Sequence, residues 1–237
     1  MNIAMWSGPR NLSTALMYSF AQRADTTVTD EPFYAAYLAA TGADHPMRAE
    51  ILTAQNQDYA TIAAASAAPG PRSHRYLKLM THHMIAVADH SFMGSCRNAF
   101  LIRHPARVLA SYVAKRERPS LQDIGFTEQF ALYRTARALG QTPIVVDSAD
   151  IRQNPPAMLA SLCAALGLPF DPAMLSWPEG GNLADGVWAR HWYGAVHRST
   201  CFAGPEGPLP DLPDDLAAVA AAALPIYEEL AASKLSV

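Results

Sequence analysis

The amino-acid sequence has 237 residues, half of them hydrophobic, and a formal net charge of −3 at pH 7. This length and composition predict one globular domain over residues 1–237 with a well-buried core. The slightly acidic balance argues against a broad basic surface, so no nucleic-acid partner is predicted. A local basic pocket is still compatible with these totals.

The cysteines and the apolar segments indicate the expected environment of the protein. Cys96, Cys163 and Cys201 are too widely spaced for a metal-binding motif and are odd in number, so reduced thiols in a cytoplasmic protein are expected. The N-terminus shows no charged segment followed by a long apolar run, so no signal peptide is predicted. The longest apolar stretch, 216–226, is too short to span a bilayer, so no membrane partner is predicted.

Strands and helices are predicted to alternate along the chain, which implies βαβ units. The fold class is therefore α/β, a single-domain three-layer α/β/α fold with a central, mainly parallel five-stranded sheet and a C-terminal helical cover. Residues 43–73 are Ala-rich and predicted to be helical in their middle, and 170–211 should form an irregular cover. The predicted strands are 2–6, 26–30, 75–80, 98–102 and 143–146, and the predicted helices are 12–21, 33–39, 105–115, 127–139, 155–166 and 212–232.

The turn after the first predicted strand is a candidate anion site. Backbone N–H groups at the start of a helix are unpaired, and the helix dipole favours negative charge there. Arg10 can donate a charge-assisted fork to phosphate or sulfate oxygens, and Ser13 and Thr14 add hydroxyl donors. The alternative is an ordinary turn with a surface arginine.

This turn differs from the phosphate loop of kinases and GTPases. That loop needs Gly and Lys ahead of a Ser or Thr, whereas Leu12 stands at the second-glycine position and no lysine follows it. No convincing Asp follows an apolar strand to hold Mg²⁺. The sequence therefore predicts no metal.

The same turn resembles a motif of sulfotransferases that use 3′-phosphoadenosine-5′-phosphosulfate (PAPS). Residues 6–14, Trp-Ser-Gly-Pro-Arg-Asn-Leu-Ser-Thr, are similar to the 5′-phosphosulfate loop of that P-loop family, although Asn11 and Leu12 replace the usual Ser and Gly. The resemblance implies that five residues bind the donor here: Arg10, Asn11, Leu12, Ser13 and Thr14.

A second segment resembles the 3′-phosphate segment of the same family. Residues 101–105, Leu-Ile-Arg-His-Pro, are followed by Ser111, eight positions after Arg103. The resemblance implies that Arg103 and Ser111 bind one phosphate from two sides. Otherwise Arg103 would form a salt bridge at the start of a helix, and Ser111 would be a small packing residue. A weaker similarity covers 145–169, and 188–202 resembles a bacterial sulfotransferase-like subgroup.

Sulfuryl transfer needs a base near the acceptor and positive groups near the leaving phosphate. Glu31 is the first candidate for the base, because it follows the second strand at the edge where open α/β sheets bind ligands, and some sulfotransferases have a proposed base there. It could instead interact with the dipole of the next helix. His82 and His83, near the place of a family histidine that is missing here, are the second candidates, and Lys78 is expected to keep a cationic role.

Aromatic residues near the C-terminus are candidates for the lining of an acceptor pocket. The alternative, favoured for the two tryptophans, is that the rings seal the core. These residues are Trp188, His191, Trp192, Tyr193 and His197.

The sequence therefore predicts a cytoplasmic sulfotransferase that moves a sulfuryl group from PAPS, its co-substrate, to a hydroxyl or amine of a small-molecule acceptor. Two alternatives stay open. One is a kinase-like P-loop phosphotransferase that depends on Mg²⁺, and the other is a non-catalytic protein that binds a phosphorylated nucleotide. The acceptor and the oligomeric state are not predicted.

Overall fold

The computed structural model describes residues 1–113 and 119–237 and is built around one five-stranded sheet. The strands are β1 (Asn2–Ser7), β2 (Thr26–Asp30), β3 (His74–Met80), β4 (Cys96–Ile102) and β5 (Ile144–Asp147). Their order in the sheet is β2-β3-β1-β4-β5, and each neighbouring pair is parallel. The predicted five-stranded parallel sheet is confirmed.

The helices agree with the predicted ones to within two residues at most of their ends. The alanine-rich region 43–73 holds two separate helices, and the last two residues of the helix predicted over 105–115 lie outside the described residues. The helices are α1 (Ser13–Ala21), α2 (Tyr34–Thr41), α3 (Arg48–Ala54), α4 (Tyr59–Ala67), α5 (Pro105–Val113), α6 (Phe126–Ala138), α7 (Ser148–Gln153), α8 (Pro155–Leu166), α9 (Ala189–Trp192), α10 (Gly194–His197) and α11 (Asp214–Ala231).

The alternating side chains of β1 create the three layers of the fold. Ile3 and Met5 belong to the core on one face of the sheet, and Ala4 and Trp6 belong to the core on the other. Because successive side chains of a strand point to opposite faces, a strand buried on both faces is apolar throughout. The first core packs against α1 and α8, and the second against α4, α6 and α11. The predicted three-layer arrangement is confirmed.

The segment 170–211 is irregular apart from a 3₁₀ turn and the short helices α9 and α10, and its part around Gly186 and Tyr193 lies against the end of β2. Hydrogen bonds fasten it to α1, where the hydroxyl of Tyr18 donates to Oδ2 of Asp185 at 2.5 Å. Nε2 of His197 lies 3.1 Å from the same oxygen. The side chains of Trp188 and Tyr193 are thereby buried against α2.

The register of the strands brings four loops together at one edge. Ser7 at the end of β1 pairs with Met80 of β3 and Leu101 of β4, and Asp30 at the end of β2 pairs with Lys78. The loops after these strands therefore begin side by side. Open parallel sheets bind their ligands at this carboxyl edge.

Candidate functional site

The loop between β1 and α1 has an unusual backbone. Gly8 lies close to the backbone of the segment that precedes α6. An added Cβ at Gly8 would be 2.5 Å from the carbonyl oxygen of Ile124. Arg10 and Leu12 have φ angles of 63° and 72°, while Asn11 between them does not have a positive φ. Loops in which left-handed and right-handed residues alternate form anion-binding concavities in many proteins, because successive N–H groups turn toward one side. Strained conformations of this kind concentrate at functional sites.

The first turn of α1 adds unpaired donors to this loop. Leu12 at the N-cap supplies no side-chain hydrogen bond, and the first turn contains no acidic residue. The positive end of the helix is therefore available to an anion, with Ser13 and Thr14 beside it. Asn11 is buried and ties the loop to β4, since its Nδ2 donates to the carbonyl of Leu101 at 3.2 Å.

Arg10 connects the β1–α1 loop to the segment that follows β4. Its Nε donates to Oγ of Ser111 at 3.0 Å, and Nη1 of Arg103 donates to the carbonyl of Arg10 at 2.8 Å. Burial lowers the pKa of Arg10, and the nearby charge of Arg103 lowers it further. Within the described residues no carboxylate pairs with this guanidinium. The structure thus brings three predicted phosphate ligands together around an uncompensated positive charge.

Arg103 also belongs to an arginine cluster that the sequence analysis missed. The carboxylate of Glu206, with a side chain only 3% exposed, contacts the guanidinium groups of Arg103, Arg107 and Arg152. Nε of Arg107 is 3.0 Å from Oε2, and Nη1 of Arg152 is 2.7 Å from Oε1. Three positive charges face one negative charge, so this cluster carries an excess of positive charge.

A buried network of charged and aromatic side chains lies at the ends of β2 and β3. Nζ of Lys78 is 3.0 Å from Oδ1 of Asp30 and contacts the carboxylate of Glu31. Lys78 also donates to the hydroxyl of Tyr193 at 2.7 Å, and Nε1 of Trp188 donates to the same hydroxyl at 2.9 Å. Tyr193 in turn donates to Asp30 at 2.9 Å. Two carboxylates therefore share one largely buried ammonium group.

The charges of this network determine how readily Glu31 takes a proton. Burial raises the pKa of Glu31, the ammonium of Lys78 opposes that effect, and the carboxylate of Asp30 adds to it. Burial acts to lower the pKa of Lys78, but the two carboxylates outweigh burial and raise it. Lys78 therefore stays protonated and positively charged. Glu31 accepts a proton more readily than a carboxylate in water, which is the property required of a general base.

The backbone of Glu31 is strained as well, with a φ of 39°. Its N–H donates to the carbonyl of Lys78 at 3.0 Å, and its carbonyl accepts bonds from the N–H of Tyr34 and Nε2 of Gln55 at 3.1 and 3.2 Å. These bonds hold a conformation that costs a non-glycine residue about 1–3 kcal/mol. The fold therefore holds the Glu31 carboxylate at the cavity wall although the backbone conformation of Glu31 is locally unfavourable.

The two predicted histidines lie in a 3₁₀ turn, Thr81–His83, on the wall of the same cavity. The His83 ring stacks on Tyr34 and Tyr37, with ring centroids 4.6 and 5.0 Å apart. Burial lowers the pKa of His83 well below its usual value, so its imidazole is neutral and weakly basic. Partly exposed His82 also faces the cavity and stays a candidate.

One cavity of about 210 Å³ is lined both by the β1–α1 loop and by the buried network. Seven of the eleven predicted site residues line it: Arg10, Ser13, Thr14, Glu31, Lys78, His82 and His83. Of the aromatic candidates, Trp188, Trp192 and Tyr193 also line it, and Trp188 is buried in the adjacent core as well. His191 and His197 do not belong to its lining. The wall residues that sequence reasoning missed include Tyr34, Asp44, His45 and Tyr112.

The described residues, 1–113 and 119–237, also bear on metal binding, membrane insertion and disulfide formation. These residues contain no group of three or more His, Cys, Asp or Glu side chains placed to hold a metal ion. None of their helices has both the length and the apolar character needed to cross a bilayer. Cys96 and Cys163 are buried, Cys201 is exposed, and all three are free thiols.

The five-stranded parallel sheet, with the β1–α1 loop and the buried Lys78 at its carboxyl edge, defines an α/β domain. The family model of the sulfotransferase domain matches residues 1–234, so the chain belongs to the sulfotransferase domain family. This membership confirms the family expected from the sequence.

Two solved sulfotransferase structures share the fold. The sulfotransferase from Alicyclobacillus acidocaldarius superimposes with a TM-score of 0.56 at 12% identity, over 99% of this chain and 96% of that chain. The sulfotransferase domain from the curacin biosynthetic pathway gives a TM-score of 0.53 at 16% identity, over 93% of this chain and 96% of that chain. At these identities the comparison shows the fold alone.

Two Arabidopsis thaliana proteins are more similar in sequence. Branched-chain-amino-acid aminotransferase-like protein 1 is 38% identical over 205 residues, which cover 86% of this chain and 37% of that protein. Branched-chain-amino-acid aminotransferase-like protein 2 is 37% identical over 205 residues, with 86% and 36% covered. This chain therefore spans little more than a third of the length of these relatives.

Proposed function

We propose that the chain, acting as a single domain in the cytoplasm, is a PAPS-dependent sulfotransferase. It transfers a sulfuryl group to a hydroxyl or amine of a small molecule. The observation that carries this proposal is the single cavity shared by the uncompensated Arg10 loop and the Glu31–Lys78 pair. Membership in the sulfotransferase family supports the transferase class, and the residues of the cavity support the donor and the base.

The anion-binding residues fit the two charged ends of PAPS. Arg10, Ser13, Thr14 and the free N–H groups of the β1–α1 loop would hold the 5′-phosphosulfate, where no carboxylate among the described residues competes for Arg10. Arg103 and Ser111 would hold the 3′-phosphate. Nε of Arg103 is buried and has no hydrogen-bond partner among the described residues, so a donor is left over for a ligand oxygen.

The chemistry assigned to the site is a displacement at sulfur. The acceptor oxygen or nitrogen forms a bond to sulfur while the bond from sulfur to the bridging phosphate oxygen breaks. The acceptor proton goes to the carboxylate of Glu31. Lys78 stabilises the negative charge that develops on the leaving phosphate, together with Arg10 and the loop N–H groups. The products are the sulfated acceptor and 3′-phosphoadenosine 5′-phosphate (PAP).

Asp30 and Tyr193 act as positioning residues in this scheme. Both bind the ammonium of Lys78 directly, at 3.0 and 2.7 Å. Their contacts hold Lys78 in place when the carboxylate of Glu31 turns to an acceptor. Such preorganisation lets the charge act without reorganisation during the reaction.

The walls of the cavity favour a small acceptor with an apolar or aromatic body. Tyr34, Trp188 and Trp192 supply flat aromatic surfaces around the carboxylate of Glu31. An apolar pocket with few polar groups is the usual form of a small-molecule site. The acceptor would place its hydroxyl or amine at Glu31 and its apolar part against these rings.

The test is acceptor-dependent release of PAP. The purified protein is incubated with PAPS and a panel of small alcohols, phenols and amines, and PAP and sulfated products are quantified by chromatography. One PAP formed per sulfated product supports the proposal. Transfer from ATP that requires Mg²⁺ would favour a kinase-like phosphotransferase instead, and PAPS binding without turnover of any acceptor would favour a non-catalytic binder.

A further inference from the structure

The arginine cluster already contains an anion that belongs to the protein itself. The carboxylate of Glu206 touches Arg103, Arg107 and Arg152, and its side chain is 3% exposed. Arg103 also donates from Nη1 to the carbonyl of Arg10. Nε of Arg10 in turn donates to Oγ of Ser111. Glu206 therefore occupies Arg103, one of the two candidates for the 3′-phosphate, and Arg10 links Arg103 to Ser111, the other candidate.

The charge of this cluster exceeds what one carboxylate can neutralise. Three guanidinium groups surround Glu206, and Arg10 adds a fourth close by. A phosphate monoester carries about −1.5 to −2 charges near pH 7 and three acceptor oxygens, against one charge and two oxygens for a carboxylate. Guanidinium groups bind phosphate by paired hydrogen bonds. The cluster thus fits a phosphate better than it fits Glu206.

The loop that carries Glu206 is attached mainly through these arginines. Residues 203–212 form no helix or strand, and within the described part of the chain they make no backbone-to-backbone hydrogen bond. Two arginines hold the backbone of this loop: Nε of Arg152 donates to the carbonyl of Gly204 at 2.8 Å, and Arg107 donates to the carbonyl of Gly207. An added Cβ at Gly204 or Gly207 would meet no atom within 4 Å, so space surrounds the loop on both sides of Glu206.

We propose that Glu206 is an internal substitute for the 3′-phosphate, and that Arg107 and Arg152 extend the 3′-phosphate site. In the free protein the carboxylate occupies the arginine cluster. When the donor binds, its 3′-phosphate takes the arginines and the loop 203–212 moves out. This inference rests on the proposed PAPS site and adds to it a competition between a side chain and the donor.

Competition by Glu206 lowers the apparent affinity for the 3′-phosphate. If the cluster is open for about 1–10% of the time, the apparent dissociation constant rises about tenfold to a hundredfold. Glu206→Gln keeps the size of the side chain but removes its charge, so it should bind PAP about tenfold to a hundredfold more tightly than the unaltered chain. Binding of AMP, which has no 3′-phosphate, should stay the same.

Calorimetric titrations with PAP and AMP test this inference on the unaltered chain and on Glu206→Gln. Asp211→Asn is the matched control, because it removes one exposed negative charge from the same segment. Tighter PAP binding by Glu206→Gln alone supports the inference. If PAP binding is unchanged or weaker while the unaltered chain still prefers PAP to AMP, Glu206 only orients the arginines, and this inference fails while the donor site stands. If no protein prefers PAP to AMP, the donor site fails and the inference with it.

A second measurement uses the unaltered chain and does not depend on the folding of a variant. A glutamate-specific protease should cleave slowly after Glu206 in the free protein, because the glutamate side chain is 3% exposed, and several-fold faster when PAP is present. Exposed Glu179, which is also followed by glycine, provides an internal reference. AMP should not accelerate the cleavage. Protection of Glu206 by PAP would contradict the proposed movement of the loop.

Discussion

Nε of Arg10 lies 3.0 Å from Oγ of Ser111, although 101 positions separate the two residues in the sequence. One belongs to the β1–α1 loop and the other to α5, the two segments with the strongest resemblance to nucleotide-binding motifs. Arg103 completes the group through the carbonyl of Arg10. The residues predicted to bind the two phosphates of one nucleotide therefore lie side by side.

Substitution of Arg10 should weaken nucleotide binding. A charged hydrogen bond contributes about 1.5–3 kcal/mol, so Arg10→Ala should lower the affinity for PAP about tenfold to a hundredfold. Arg10→Lys keeps the charge without the planar fork and should recover only part of the loss. Calorimetry measures the affinities, with exposed Arg134→Ala on α6 as the control. Equal affinities for the Arg10 and Arg134 variants would remove Arg10 from the site.

Glu31→Gln should reduce turnover far more than it weakens donor binding. Loss of a general base costs on the order of 10²–10⁴ in rate, and the amide keeps the size of the carboxylate. Steady-state rates with a working acceptor, combined with calorimetric PAP affinity, separate the two effects, and exposed Glu179→Gln serves as the control. If Glu31→Gln keeps its turnover while His82→Ala or His83→Ala loses it, the base is one of the histidines.

The pH dependence of kcat/KM should also identify Glu31 as the base. A base must be ionised to accept a proton, so kcat/KM should rise with pH as Glu31 loses its proton. Because burial and Asp30 raise the pKa of Glu31, this rise should lie above the pH at which an ordinary glutamate titrates. A pH–rate profile measures the rise, which should disappear in Glu31→Gln. A profile that is unchanged in the variant would show that another group titrates.

Tyr193→Phe should destabilise the fold. The hydroxyl binds Lys78 at 2.7 Å and Nε1 of Trp188 at 2.9 Å, and its removal leaves buried donors unsatisfied. We expect a loss of about 1–3 kcal/mol in the free energy of unfolding, measured by urea denaturation. Tyr133→Phe, which removes only a 3.3 Å contact to Ser233 near the surface, should stay within about 0.5 kcal/mol. Equal stabilities of the two variants would mean that the network is not coupled through Tyr193.

Nucleotide binding and transfer should survive treatment with EDTA. The motivation is the β1–α1 loop itself, where Leu12 replaces a glycine and no lysine precedes the Ser13-Thr14 pair. PAP affinity and PAP release are measured before and after chelation. If chelation abolishes binding and Mg²⁺ restores it, the kinase-like alternative should be preferred.

Much of the fold could be predicted because its signals are local. The strand over Thr26–Asp30 and the helix over Pro155–Leu166 have the bounds expected from their apolar patterns, and Gly167 ends that helix with a positive φ of 79°. The family motifs then placed Arg10, Arg103 and Ser111 at one edge of the sheet.

The electrostatics of the site could not be predicted, because they depend on contacts between distant parts of the chain. Asp30 meets Lys78 through the register of β2 and β3, and Tyr193 reaches Lys78 from 115 positions away. Glu206 is one acidic residue in a loop rich in Pro and Gly, with no local sign of its three arginine partners. A lysine inside the apolar strand β3 was the available hint, because a buried ammonium requires carboxylates nearby.

The most direct test of the account compares PAP and AMP binding by calorimetry in the unaltered chain and in Arg103→Ala. Arg103 and Ser111 should recognise the 3′-phosphate, so PAP should bind about tenfold to a hundredfold more tightly than AMP. Arg103→Ala should abolish most of that difference and leave AMP binding nearly unchanged. Equal affinities of the unaltered chain for PAP and AMP would contradict the proposed donor site.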